Sequence, residues 1–217
     1  MAEGSAPIGG IEISADAAAA SRRANYALAV LFIVTMLNFL DRQVISIVAE
    51  PIKRDLGLSD TQLGLMTGLS FAVFYTTLAI PLAALADRWN RSRIIAIAIA
   101  VWSLMTVLCG LAGNFVQLFL ARVGVGVGEA GSAPASHSLI ADLFPPERRA
   151  GALGIMGAAV PVGAFIAYAG GGYITEIFSW RAAFMLAGLP GILIALVIWF
   201  TVPDPRGKVS LAKAFQP

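Results

Sequence analysis

Long apolar stretches separated by short polar turns run along most of this chain, and six of them are long enough to matter. They cover about 26–49, 61–86, 92–112, 115–141, 149–174 and 180–202. A helix that crosses a bilayer needs about 20 mostly apolar residues, so each stretch predicts one crossing. Between them stand Pro51, Gly57, Gly113-Asn114, Pro145-Pro146 and Ser179, residues that stop or start helices. After Thr201 the sequence Val-Pro-Asp-Pro-Arg-Gly-Lys ends the last helix and opens a basic segment, 203–217. Residues 1–25 are small, Ala-rich and without periodicity, and are expected to form a flexible cytoplasmic tail. The first apolar stretch is not a secretory signal peptide. It is longer than a typical signal core, contains Asp41-Arg42 and lacks a small-residue cleavage site after it. The expected fold is an all-α membrane bundle of six transmembrane helices.

Composition supports that class. The chain is 58% hydrophobic and 13% charged, whereas a soluble domain carries about 25% charged residues. A net charge of +2 is too small to imply nucleic-acid binding. The single cysteine, Cys109, lies within an apolar stretch and reads as a buried thiol. The Ala-rich, Cys-poor composition suits a bacterial inner membrane.

Charge also orients the bundle. With the N-terminus inside, ten basic residues fall on the cytoplasmic side: Arg22, Arg23, Arg88, Arg91, Arg93, Arg148, Arg149, Arg206, Lys208 and Lys213. Only three, Lys53, Arg54 and Arg181, fall outside. This asymmetry places both ends of the chain in the cytoplasm. The strongest marker is the turn Ala83-Ala-Leu-Ala-Asp87-Arg88-Trp-Asn-Arg91-Ser-Arg93, an acid and three arginines between two apolar helices. Asn90-Arg-Ser92 matches a glycosylation sequon but lies on the side where modification does not occur. Glycines crowd the fourth and fifth stretches (Gly124, Gly126, Gly128, Gly131, Gly151, Gly154, Gly157 and Gly163) and predict close helix packing in lipid.

Four charges stand inside the stretches: Asp41, Arg42, Arg122 and Glu129. Each costs on the order of 2.5–3.5 kcal/mol or more at the bilayer centre unless paired or facing a wet cavity, which marks them as functional candidates. Arg122 and Glu129 are seven residues apart, on one helix face and about 10 Å apart along the axis. Depth counting sets Arg122 level with Asp41, so an Asp41–Arg122 pair is expected, with Glu129 one layer deeper. Asn38 lies one turn before Asp41 and Arg42, within reach of either. Glu129 has no cation adjacent in sequence and is the better candidate for a proton carrier; Arg42 faces either the cavity or a structural partner. His137, the only histidine, is a possible proton relay near the cytoplasmic end of the same helix, or a helix-end residue satisfied locally.

Two motifs mislead. Gly126-Val-Gly128-Glu-Ala-Gly131 fits a dinucleotide fingerprint, but no strand precedes it and Glu129 repels a pyrophosphate. Gly131-Ser132 in a six-helix membrane protein suggests an intramembrane serine protease, yet the sole histidine lies five residues along the same helix and points elsewhere. No enzyme is expected.

The Asp87 turn resembles the loop between the second and third helices of major facilitator superfamily transporters, with Ala83 and Asn90 where glycines are usual. Asn38-Phe-Leu-Asp41-Arg42, Gly126-Val-Gly-Glu129-Ala-Gly-Ser-Ala-Pro134-Ala, Asp142-Leu-Phe-Pro145 and Pro161-Val-Gly163 are together similar to the spinster-like members of that superfamily. Trp180-Arg181-Ala-Ala-Phe184 resembles the usual entry to the sixth helix. The resemblance implies alternating access by two six-helix bundles around a mid-membrane site, with proton coupling and an amphipathic lipid such as a sphingolipid or lysophospholipid as substrate. It implies that Asp41 and Glu129 line the central cavity and that Arg122 stands beside a coupling carboxylate. It assigns Asp87, Arg88 and Arg91 to a conformational gating loop. The chain is then expected to be the N-terminal half, 203–217 the start of the inter-bundle linker, and a C-terminal six-helix half its partner, without which transport is not expected. Protons serve as coupling ion; no other cofactor and no metal are expected. Two other readings remain open: a proton-coupled carrier of small organic anions anchored by Arg122, and a non-transporting membrane assembly module.

Overall fold

A computed structural model describes residues 8–205. Residues 1–7 and 206–217, with Arg206, Lys208, Lys213 and most of the expected linker, lie outside the described residues. The helices are α1 (Ile8–Ile47), α2 (Ala49–Leu56), α3 (Asp60–Gly64), α4 (Ser70–Arg88), α5 (Arg91–Leu111), α6 (Phe115–Leu143), α7 (Pro146–Ile177) and α8 (Trp180–Thr201). A π-helical turn, Leu65–Leu69, joins α3 to α4.

Polar caps cut the chain where the punctuation predicts. The side chains of Asn90, Asn114 and Ser179 accept hydrogen bonds from the backbone amides of Arg93, Gln117 and Ala182 at the starts of α5, α6 and α8. Gly57 ends α2 with φ 63°, a left-handed turn that glycine adopts without steric cost.

One expectation needs correction. Residues 8–25, expected as part of a flexible tail, continue α1 toward its N-terminus. Alanine has the highest helix propensity of all residues, so Ala17–Ala20 extends a helix already nucleated by the apolar stretch. Among the described residues, five helical segments are long and apolar enough to cross a membrane: Ala17–Ile47, Asp60–Leu82, Arg91–Leu111, Pro146–Ile177 and Trp180–Thr201. The sixth expected crossing, α6, spans 29 residues and falls just outside this apolar set. Its charges, glycines and serines lower its hydropathy, and many of them are buried inside the bundle.

Packing follows an internal repeat. The helix α5 lies along α8 and α6, α1 along α7 and α8, and α4 along α6. Exchanging α1, α4 and α5 for α6, α7 and α8 maps these pairings onto themselves. Successive crossings alternate in direction, so the two triplets are inverted relative to each other, as in bundles built from three-helix repeats. Glycines set some of the closest approaches. A Cβ built on Gly163 of α7 would stand 2.2 Å from the Met36 carbonyl oxygen of α1, and one on Gly128 of α6 would stand 2.6 Å from the Trp102 nitrogen of α5. Gly151, Gly154 and Gly157, expected to pack within the bundle, instead meet nothing within 4 Å. The outside is apolar: Ile80 is 77%, Phe165 73% and Phe200 78% exposed. Such a surface belongs in lipid, and the chain is an integral membrane protein.

Candidate functional site

A cavity of about 250 Å³ opens between α1, α4, α6 and α7. Asn38 and Arg42 reach it from α1, Tyr75 from α4, and Glu129, Ser132, Ser136 and His137 from α6. Phe39, Leu153, Met156 and Val160 complete an apolar wall around this polar strip.

Arg42 and Glu129 form its centre. Arg42 Nε donates to Glu129 Oε2 at 2.7 Å, joining α1 to α6. Glu129 is 1% exposed, while a quarter of the Arg42 side chain faces the cavity. The guanidinium also lies 4.8 Å from the centroid of Tyr75 and 5.3 Å from that of Phe39. Two aromatic faces and a carboxylate therefore hold one cation at the rim of an otherwise oily pocket. Glu129, with no cation adjacent in sequence, finds one across the helix interface.

Asp41 and Arg122 stand elsewhere. Both are buried, at 1% and 2% exposure, and neither lines this cavity. The charge of Arg122 acts on Asp41, as the depth match on α1 and α6 anticipates, but Asp41 also accepts a hydrogen bond from Thr106 of α5 at 2.7 Å. The geometry of α6 explains why Arg122 misses the cavity. The pocket extends from Glu129 toward His137, whereas Arg122 is two turns away in the other direction. Asn38 and His137 both line the cavity, and His137 lies eight residues beyond Glu129 at its exposed end.

The turn between α4 and α5 is tied down from within. Buried Arg91 pairs with Asp142 of α6 and donates to the Ser138 carbonyl at 3.1 Å, while its backbone amide donates to Asp204 Oδ2 at 2.7 Å. Of the expected gating residues, Arg91 thus holds the ends of α5, α6 and α8 together. The side chains of Asp87 and Arg88 lie outside those described. At the opposite end of the bundle, Asp55 accepts from Arg181 at 2.5 Å and from Trp180 Nε1 at 3.1 Å. These bonds, Arg181 first, hold the Asp55 carboxyl below the usual carboxylate range.

Sequence reasoning missed Thr106, Tyr75 and Phe39. It weighed only ionisable residues inside the spans. A threonine one turn beyond Trp102 and aromatics near the depth of Arg42 were available signals, but their partners come from other helices.

Comparison with known proteins agrees with the fold. The chain superposes on the bacterial homolog to the human lysosomal transporter Spinster, solved in an inward-facing and unoccupied conformation, with TM-score 0.75 and 42% identity. That match covers 85% of this chain and 44% of the other. An MFS-type efflux pump of Mycolicibacterium smegmatis is 39% identical over 83% of this chain and 42% of its own length. The hexuronate transporter of Bacillus subtilis is 34% identical over 85% of this chain and 43% of its own. The chain therefore spans less than half the length of these relatives, and its fold is that of the N-terminal six-helix half. Residues 31–216 match the Major Facilitator Superfamily, and the chain belongs to that family, within which it is similar to spinster homologues.

Proposed function

We propose that this chain forms the N-terminal bundle of a proton-coupled, alternating-access transporter for an amphipathic lipid such as a lysophospholipid or sphingolipid, with its N-terminus in the cytoplasm. The observation that carries this reading is the cavity itself, in which one rim-exposed cation, Arg42, is set into apolar walls. A zwitterionic or anionic headgroup needs such a cation, and an acyl chain needs the walls.

Coupling follows from the Arg42–Glu129 bond. A proton arriving at Glu129 removes the charge that holds Arg42, leaving the guanidinium to bind the anionic group of the substrate. Release of the substrate lets Glu129 lose its proton and recapture Arg42. His137 stands at the open end of the same cavity, where it relays protons to Glu129. A second six-helix bundle closes the site from the other side, with the Asp87 turn gating the movement.

The test uses the intact protein, both bundles present, in proteoliposomes. Labelled lysophospholipid flux should follow a pH gradient, and Glu129→Gln should lower gradient-driven flux at least tenfold, as expected for loss of a positioned proton carrier. Flux that persists unchanged in Glu129→Gln would remove Glu129 from the coupling. Similarity to the hexuronate transporter supports a second reading, a small organic anion held at Arg42. Hexuronate uptake without lysolipid flux would select it.

A further inference from the structure

Behind the cavity wall, Thr106 makes a contact that the Arg42–Glu129 exchange does not use. The threonine is fully buried on α5, and its Oγ1 lies 2.7 Å from Asp41 Oδ2 and 3.0 Å from the carbonyl oxygen of Trp102. Asp41 Oδ1 has no hydrogen-bond partner among the described residues, so Thr106 is the donor that serves this carboxylate.

A hydroxyl has one proton and can donate to one acceptor at a time. While Asp41 is ionised, its carboxylate is the stronger acceptor and takes the Thr106 proton. Once Asp41 binds a proton on Oδ2, the bond can reverse: Asp41 donates to Oγ1, and Oγ1 donates to the Trp102 carbonyl. One proton enters, Thr106 keeps its own, and no heavy atom moves. Both protonation states are satisfied in a place where an unsatisfied polar group is costly.

The charges around Asp41 complete the setting. Arg122 and Glu129 act on it from α6, Arg42 from its own helix, and the Cys109 thiol from α5. On α7 the titratable neighbour nearest in contact with α1 is Tyr168, whose hydroxyl donates to Gln43, and α8 carries no ionisable residue after Arg181. None of these groups supplies a hydrogen that can reverse direction on Asp41.

We propose that Thr106 is a positioning residue for a proton on Asp41, a hydroxyl rotor that holds the ionised carboxylate, accepts from the protonated one, and so sets the pH at which Asp41 loads. This extends the proton-coupled reading above to a second carboxyl outside the substrate cavity.

The test reads Asp41 directly. The intact protein in lipid is titrated while its carboxyl C=O stretch is followed by infrared difference spectroscopy; the Asp41 band is the one lost in Asp41→Asn. Thr106→Val keeps the shape and removes the donor to the ionised form, so the midpoint should rise by about one to two pH units. Thr106→Ser restores the hydroxyl and should leave the midpoint in place, which a merely structural role would not predict. A midpoint equal in Thr106→Val and the parent, or a band that never titrates, overturns the proposal. Because the readout does not depend on transport, a Thr106-sensitive band in a protein without lysolipid flux would sink the lipid reading and leave this one standing.

Discussion

Glu129 and Asp41 are both carboxylates within the bundle, both about 1% exposed, and both are under the influence of an arginine. Their surroundings differ. Glu129 borders a cavity and bonds to a cation that is partly open to it, so its partner can be drawn away by a ligand. Asp41 lies behind the wall with Thr106 and Arg122, and no opening reaches it through this pocket. Charge alone does not separate the two acids. What separates them is whether the counter-charge has an alternative partner. An arginine at a cavity rim can be exchanged, whereas one sealed among helices serves as a fixed field.

That comparison can be broken by removing each arginine in turn and measuring thermal unfolding of the purified protein. Arg122→Met strips the sealed carboxylate of its cation and should cost about 3–5 kcal/mol. Arg42→Met should cost less, about 2–3 kcal/mol, because a quarter of the Arg42 side chain is already open to the cavity. A reversed order would mean that Arg42, not Arg122, is the sealed counter-charge. Next in size, Gly128→Ala forces a methyl against the Trp102 backbone and should cost about 1–3 kcal/mol. It would also pry α6 from α5 beside both acids, so a change in the Asp41 titration is expected with it. Smallest is Asp55→Asn, at the end of the bundle opposite Arg91, where the Arg181 pair is solvent-exposed and the melting temperature should barely move near neutral pH. Its sign is defined. The folded carboxyl titrates below its unfolded value of about 3.9, so its contribution is present above that pH and lost as the pH falls further. The parent should therefore lose its small advantage over Asp55→Asn only in acid.

Much of the fold was legible because the bilayer constrains it so strongly. Apolar length marked the crossings, and the punctuation at Asn114 and Ser179 marked where two of them begin. α6 was legible as a crossing, although the residues it turns inward lower its hydropathy. The candidate site was half legible. A charge inside an apolar stretch stands out in any sequence, so Asp41, Arg42, Arg122 and Glu129 could be singled out. Their partners could not be read with the same security. The Arg42–Glu129 bond joins residues 87 apart in the chain, and Thr106 is 65 residues from Asp41. Such distances are set by how helices dock, which a single sequence does not encode locally.

The amino-acid sequence by itself determined that this protein is a helical membrane bundle and which buried charges need an explanation. These follow from the transfer energies of apolar and charged groups, which act residue by residue. Tertiary structure alone decided that Arg42 serves Glu129, that Thr106 serves Asp41, and that one acid meets a cavity while the other does not. Helix docking controls those outcomes through a few close approaches, at Gly163 of α7 against α1 and at Gly128 of α6 against α5, where the absence of a side chain lets two backbones meet.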